Sequence, residues 1–289
     1  MTTILEQARA DLYANMNERG LLSVVGQKRV PSMADGDSKP SVSIASAMAR
    51  RLSPTVRSTR LDGQTAGKIF EEEVTTFLRT TFPLLSSIRP GNWEVTRITG
   101  TSKSVIGDYE PYRHLEKLSQ AVKNDRTLGA LIGDSYAILP DVVVTRGPET
   151  DTQINASQPQ DFVDDTLAHR TIIRQSNNPS RILHAVVSCK WTMRSDRAQN
   201  TRSEALSLVR GRKGRLPHIV AVTAEPLPSR LASLALGTGD LDMVYHLALH
   251  ELMDAVDAEG DDTSKDLIET MVEGQRLRDI ADLPLDLTV

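Results

Sequence analysis

The sequence predicts a single α/β domain, and three observations predict it. Apolar runs at 136–145, 182–187 and 218–222 read as buried strands. Stretches with helical spacing lie around them, and short strands alternating with helices build an α/β sheet. The chain has 289 residues, 39% hydrophobic and 25% charged, enough for a sizeable core and far from a disordered composition.

The elements follow in order. Leu5, Ala8, Leu12 and Met16 share one side of a helix over 4–19, which Gly20 ends. Residues 30–43 form a loop by composition, with Pro31, Asp35, Gly36 and Pro40. A short helix over 44–52 stops before Pro54. The polar stretch 57–65 leads into a helix over 66–81, with Phe70, Val74, Phe77 and Leu78 turned inward. Glu71, Glu72 and Glu73 follow one another at about 100° each, so they cannot share a face. Residues 93–98 alternate as a strand, and 109–123 have helical spacing. Pro140-Asp141 interrupts the run at 136–145. Proline gives a ladder no N–H, so a bulged or edge strand is expected there. Residues 147–178 read as a polar insertion with a short helix near 162–169. After 182–187 comes a turn, then a helix capped by Ser195 or Asp196. Residues 217–223 are a third strand and 225–230 a loop. Residues 241–259 and 264–274 are helical, and the tail at 285–289 is apolar.

Composition excludes several classes. No apolar run is long enough to span a bilayer. Glu6, Asp11 and Glu18 spoil any reading of the first twenty residues as a secretion signal. The one cysteine, Cys189, leaves no internal disulfide and suits a reducing cytoplasm. Net charge is −4, which excludes a surface basic all over. The basic residues are concentrated instead: from Lys190 to Arg215 there are eight, against two acids. Such a face is the electrostatic footprint expected of a phosphate-binding surface; its plainer reading is a solvated helix face.

The chemistry gathers at the same place. The strand at 182–187 delivers Lys190 at its end, and Asp141 lies at the end of another strand. Adjacent strand tips bearing an acid and a lysine can hydrolyse a phosphodiester with a divalent metal. The carboxylate holds Mg²⁺, and the lysine orients or deprotonates a water and neutralises developing charge. A second carboxylate is needed. Two residues before the lysine stands Ser188, a poor Mg²⁺ ligand; Glu204 on the next helix can supply the group, and Glu71 is a further candidate. Cys189 can offer only its carbonyl. Taken singly, these residues have plainer uses: Asp141 in a turn, Lys190 at a strand end, Glu204 in a helical pair with Arg197 or Arg202, Asp35 in an Asx-turn. Trp191, His184 and His218 read as packing residues.

Longer stretches carry a resemblance. They are Ser188-Cys189-Lys190-Trp191-Thr192, running into Arg194-Ser195-Asp196-Arg197 and Arg202-Ser203-Glu204; then residues 212–220, Thr223-Ala224-Glu225-Pro226, Pro228-Ser229-Arg230 and 282–287. Earlier come Ala34-Asp35-Gly36, Gly63-Gln64-Thr65, Phe70-Glu71 and Pro140-Asp141. In these the chain resembles the type II restriction endonucleases of the PD-(D/E)xK group, in the tetrameric branch that reads a CCGG core. The likeness is densest over 184–240 and thinnest over 100–130 and 146–180.

The resemblance implies a restriction-endonuclease-like core, a central mixed β-sheet flanked by helices. In one domain, 1–289, it puts an N-terminal helix and DNA-contacting loop at 1–60, a catalytic core at 61–240 and C-terminal helices at 241–289. It implies Mg²⁺-dependent cleavage of double-stranded DNA at a palindrome with a CCGG core, GCCGGC, leaving 5′-phosphate ends. Asp141, Lys190, Glu204 and Glu71 would be the catalytic set, and Asp141, Cys189, Glu204 and Glu71 the metal ligands. Arg194, Asp196 and Arg197, with Ser195, would read the inner bases, as arginine forks suit guanine and an aspartate suits cytosine. Asp35 and Arg230 would read the outer G·C pair, and Gln64 the minor groove. Asp35-Gly36-Asp37-Ser38 departs slightly from the family pattern, which bears on the outer pair. The implied working unit is a dimer of dimers in a bacterial cytoplasm. A cognate DNA methyltransferase would protect host DNA without binding the chain. Two rival readings use the same residues: a repair or structure-specific nuclease of this fold, and a DNA-binding module that does not cut.

Overall fold

The computed structural model describes residues 2–99, 105–132, 138–237 and 239–289. Helix α1 (Ile4–Glu18) opens on a capping box between Thr3 and Glu6 and buries Leu12 and Met16. Gly20 follows at φ +72°, a left-handed conformation that glycine adopts without strain. Strands β1 (Ser23–Val25) and β2 (Val30–Pro31) and helix α2 (Lys39–Leu52) come next. The expected loop at 30–43 is thus shorter than its composition suggests. Ser38 caps α2 and Pro40 sits in its first turn, where a missing N–H costs nothing. Strand β3 (Thr55–Arg57) pairs with β1 in a small sheet of order β2-β1-β3. Helix α3 (Gly63–Thr81) is capped by Asp62, which accepts the N–H groups of Gln64 and Thr65. Phe70, Val74, Phe77 and Leu78 are buried along it.

The main sheet has six strands in the order β4-β5-β6-β7-β8-β9. Strands β4 (Trp93–Arg97), β5 (Val142–Arg146) and β6 (Ile182–Lys190) alternate in direction, with β5 antiparallel to both neighbours. Strands β7 (His218–Thr223), β8 (Met243–His246) and β9 (Leu277–Asp279) continue parallel to β6. The mixed sheet flanked by helices is the fold class expected. Val142, Val143, Val144, Ala185, Val187, Ala221, Val222 and Val244 are fully buried in it.

Between the strands lie α4 (His114–Asn124), α5 (Arg126–Ile132), α6 (Asp151–Asn155), α7 (Ser195–Gly211) and α8 (Pro228–Ala235). Helices α9 (Leu249–Glu259), α10 (Asp262–Glu273) and α11 (Leu283–Asp286) complete the chain. Helix α3 packs across β4 and β6, and α2 packs on α9. Among the described residues no helix is long and apolar enough to cross a membrane.

Several expectations are corrected. The strand at 136–145 begins only at Val142, and residues 133–137 lie outside the described part. Pro140 precedes the ladder, so β5 is neither an edge strand nor bulged there; its irregularity falls between Val144 and Thr145. The helix expected over 109–123 begins at His114, after a turn segment. The insertion is helical at Asp151–Asn155, under a Thr150–Gln153 capping box, and not at 162–169. That later stretch is organised instead by Arg174, 2% exposed, which binds Asp151 and the carbonyls of Asp164 and Leu167. The stretch 241–259 is a buried strand before a helix; four strand residues are too few to display a period of two. Helix α7 has the Arg194 backbone as its N-cap and no side-chain cap, so neither Ser195 nor Asp196 caps it. Asp196 occupies the first turn, where a negative charge suits the helix dipole.

Candidate active site

Antiparallel pairing sets the centre of the site. Val142 faces Val187 in the β5/β6 register, so the start of β5 lies beside the end of β6. Asp141, one residue ahead of β5, therefore meets the tip bearing Cys189 and Lys190. Its Oδ2 accepts the Lys190 ammonium at 2.7 Å and the Cys189 N–H at 2.7 Å. Lys190 is pulled down by burial, but the charge and hydrogen bond of Asp141, with Glu204 beyond, outweigh this and its pKa rises. In this state Lys190 is an ammonium, suited to neutralising charge rather than to taking a proton.

Two further acids flank the pair. Glu71 lies on α3, where its Oε2 accepts Arg97 Nε at 3.1 Å; Arg97 ends β4 opposite Val142. Burial and the Asp141 charge raise the Glu71 pKa against the pull of Arg97. Glu204 is half-buried on α7. Burial raises its pKa, Lys190 pulls it back, and Asp141 pushes it further up. It therefore feels both members of the central pair. Of the three consecutive glutamates, Glu73 is the most buried and binds Arg19 at 2.7 Å, while Glu72 bridges Arg19 and Arg97.

By type these donors, carboxylates with a backbone carbonyl nearby, are the oxygen ligands a hard divalent cation takes. Carboxylates that burial and mutual charge hold back from ionising gain from a cation nearby. Ser188 Oγ, two residues before the lysine, is buried without a partner among the described residues. The acids do not form a closed cage, however. Among the described residues no three His, Cys, Asp or Glu side chains are grouped closely enough to hold an ion. Cys189 is 3% exposed and burial holds its thiol protonated, so only its carbonyl is available as a ligand.

Beside this centre opens a cleft of about 670 Å³. Asp35, Gln64, Glu71, Lys190, Arg194, Arg197 and Arg230 all line it. Asp35 Oδ2 and Arg230 Nη2 are 2.5 Å apart. Asp35 also keeps its plainer role, since its Oδ1 accepts the Asp37 N–H at 3.3 Å. Arg197 binds the Thr192 carbonyl at 3.1 Å, across the turn between β6 and α7. Arg194 and Asp196 are exposed, but Asp196 is not part of the cleft lining. The side chain of Ser195 lies outside the described residues.

The family model for the NgoMIV restriction enzyme matches residues 13–289. The chain belongs to the NgoMIV restriction enzyme family. Over 289 residues, all of this chain and all of the relative, it is 44% identical to the type II restriction enzyme NgoMIV of Neisseria gonorrhoeae. It is on this ground a type II restriction endonuclease, a site-specific deoxyribonuclease. Restriction endonucleases generally use divalent metal ions, in keeping with the acids described above. Among solved structures, a PspGI restriction endonuclease–substrate DNA complex is 13% identical, covers 98% of this chain and 91% of its own, and has a TM-score of 0.26. An overlap that loose carries no weight for the site.

The structure thus brings together Asp141, Lys190 and the Cys189 backbone, with Glu71 and Glu204 beside them. It places Asp35, Gln64, Arg194, Arg197 and Arg230 on one cleft. Trp191 packs edge-on against Phe70, with centroids 5.4 Å apart. His184 is likewise structural, its Nε2 2.7 Å from the Leu287 carbonyl. Three polar residues were not singled out by sequence. Arg97 restrains Glu71. Arg60 lines the cleft and donates to the Ser32 and Ala34 carbonyls, fixing the loop of Asp35. Glu225 is 0% exposed and binds Met193 N–H at 2.7 Å. Glu225 stands in the resembling stretch Thr223-Ala224-Glu225-Pro226, directly after an apolar strand, with no role attached to it there.

Proposed function

We propose that this enzyme cuts both strands of a palindrome with a CCGG core, GCCGGC, with Mg²⁺, leaving 5′-phosphate and 3′-hydroxyl ends. The observation that carries this reading is the Asp141–Lys190 contact at 2.7 Å, opening on a cleft that holds three arginines of the expected reading set. The relative's name supports the restriction activity, and the arginines suit guanine edges in a major groove.

In this reading Asp141, Glu204 and Glu71 would hold the metal, with the Cys189 carbonyl as a further oxygen. A bound Mg²⁺ supplies Lewis acidity, drawing charge off the phosphate and making water a better nucleophile. Lys190 holds Asp141 in place through its 2.7 Å hydrogen bond and directs its remaining N–H groups at the attacking water and at the phosphate oxygen where charge accumulates. Arg97 bonds Glu71 and so fixes its carboxylate in the lining of the cleft. Arg194, Arg197 and Asp196, with Ser195, read the CCGG bases. Asp35 and Arg230 read the outer G·C pair, and Gln64 reaches the minor groove. Two chains related by a two-fold axis would each read half of the palindrome, and two such dimers would form the working unit.

Digestion of DNA of known sequence, with the ends mapped, tests the reading. Cuts confined to GCCGGC, abolished by EDTA, are the expected result. Binding without cutting at any Mg²⁺ concentration would make the chain a DNA-binding module. Cutting at junctions or lesions without regard to sequence would make it a structure-specific nuclease. A plasmid with two sites should be cut faster than one with a single site; equal rates would contradict the tetramer.

A further inference from the structure

We propose that Glu225 is a positioning residue for DNA recognition: a single buried carboxylate ties the turn bearing Arg194 to the segment bearing Arg230 and Asp35. The inner and outer halves of the recognition surface are then held in one register. The inference rests on reading the cleft as the DNA interface.

Glu225 lies just past β7, with its N–H on Thr223 Oγ1 at 3.2 Å. One carboxylate oxygen, Oε2, accepts the N–H of Met193 at 2.7 Å. Met193 is fully buried, and the next residue is the exposed Arg194. The neighbouring Ala224 N–H donates to the Trp191 carbonyl at 3.2 Å, so residues 224 and 225 pin both ends of that turn. The other oxygen, Oε1, accepts the Leu227 N–H at 3.2 Å, at the N-cap of α8, and lies 3.8 Å from Arg230 Nη1. Arg230 in turn reaches Asp35 at 2.5 Å. Glu225 is wholly buried, so it cannot touch DNA itself; it acts through the residues it holds.

Charge matters to this arrangement. An ionised carboxylate accepts at both oxygens, whereas a protonated one turns an O–H toward one of the two N–H donors. Glutamine at 225 would likewise keep one bond and oppose the other. The charged and titratable groups facing Glu225 are Arg230 from α8, Asp35 from the loop ahead of α2, and His246 at the end of β8 beside the Glu225 backbone. Burial pushes His246 down to about 4, so it is neutral. Burial pushes Glu225 up to about 7, against the pull of the two N–H donors and Arg230. The clamp is therefore complete above neutrality and loosened below it.

The test uses the full-length chain and its E225Q variant, with Ca²⁺ replacing Mg²⁺ so that bound DNA is not cut. Affinities are compared for duplexes containing GCCGGC, ACCGGT and an unrelated sequence, between pH 6 and pH 8.5. The wild-type chain should prefer GCCGGC over ACCGGT increasingly as pH rises through 7. E225Q should lose about tenfold or more of that preference, the size of one charge-assisted hydrogen bond, and show no pH trend. A folded E225Q with wild-type preference and the wild-type pH trend would overturn the proposal. Should E225Q fail to fold, the wild-type amide resonances of Met193 and Leu227 decide. Both shifting together with a midpoint near 7 supports the clamp, and neither moving overturns it. A wild-type chain that binds all three duplexes alike would instead overturn the DNA-reading assignment, and the clamp with it.

Discussion

Lys190 Nζ donates to Asp141 Oδ2 at 2.7 Å, and the two side chains are 21% and 19% exposed. A pair so placed is open enough to meet a phosphate and enclosed enough for its charges to matter. K190A should lower the cleavage rate by about 10²–10³-fold, the size of losing one preorganised charge donor. Binding of a GCCGGC duplex in Ca²⁺ should stay within a few-fold of wild type. Single-turnover cleavage and fluorescence anisotropy measure the two; equal losses in both would place Lys190 in binding rather than chemistry.

Arg97 is 17% exposed and bonds two acids, Glu71 at 3.1 Å and Glu72 at 2.8 Å. R97M leaves Glu71 without its counter-charge in a part-buried place. The expected cost is about 2–3 kcal/mol, below that of a fully buried pair because solvent screens part of it. Urea unfolding at pH 7 reads this directly, and an unchanged midpoint would mean that Arg97 is only a bystander.

Glu225 has an opposite signature in stability. Its folded pKa of about 7 lies above the ordinary 4.5, so its stabilising contribution is full below 4.5 and lost as pH rises through 7. Between pH 4.5 and 8, wild type should lose about 3 kcal/mol relative to E225Q. Urea midpoints of both proteins at the two pH values measure the difference, in which all other titrations cancel. A constant difference would mean that Glu225 ionises normally.

Recognition should divide by residue. R194A and R197A should weaken every duplex with a CCGG core, because both arginines are assigned to the inner bases. R230A should weaken GCCGGC and leave ACCGGT nearly as it was. Each effect should be about 1–3 kcal/mol, the value of one bidentate base contact. Competition binding with the two duplexes measures the split, and an R230A chain that loses both equally would remove the outer-pair assignment.

Much of the site was legible because it follows from local order. The apolar run before Lys190 had to be a strand, and a strand with a lysine at its tip exposes that lysine. The basic run from Lys190 to Arg215 needed only counting. What was hidden depends on distant partners. Arg97 meets Glu71 only because β4 pairs with β5 in one register, and Glu225 meets Met193 across 32 positions of chain. Strand β8 is hidden in the sequence because four residues between turn and helix leave no periodic trace. The insertion's helix lies at Asp151–Asn155 and not at 162–169, because the folding centre there is a buried arginine, a residue whose type suggests a surface.

The most direct test of the central claim is a crystal structure of the chain with a GCCGGC duplex and Ca²⁺. The account predicts an ion with Asp141, the Cys189 carbonyl and at least one of Glu204 and Glu71 within about 2.6 Å, next to a backbone phosphate that Lys190 also contacts. A duplex seated elsewhere, or an ion that leaves Asp141 bound only to Lys190, would contradict it.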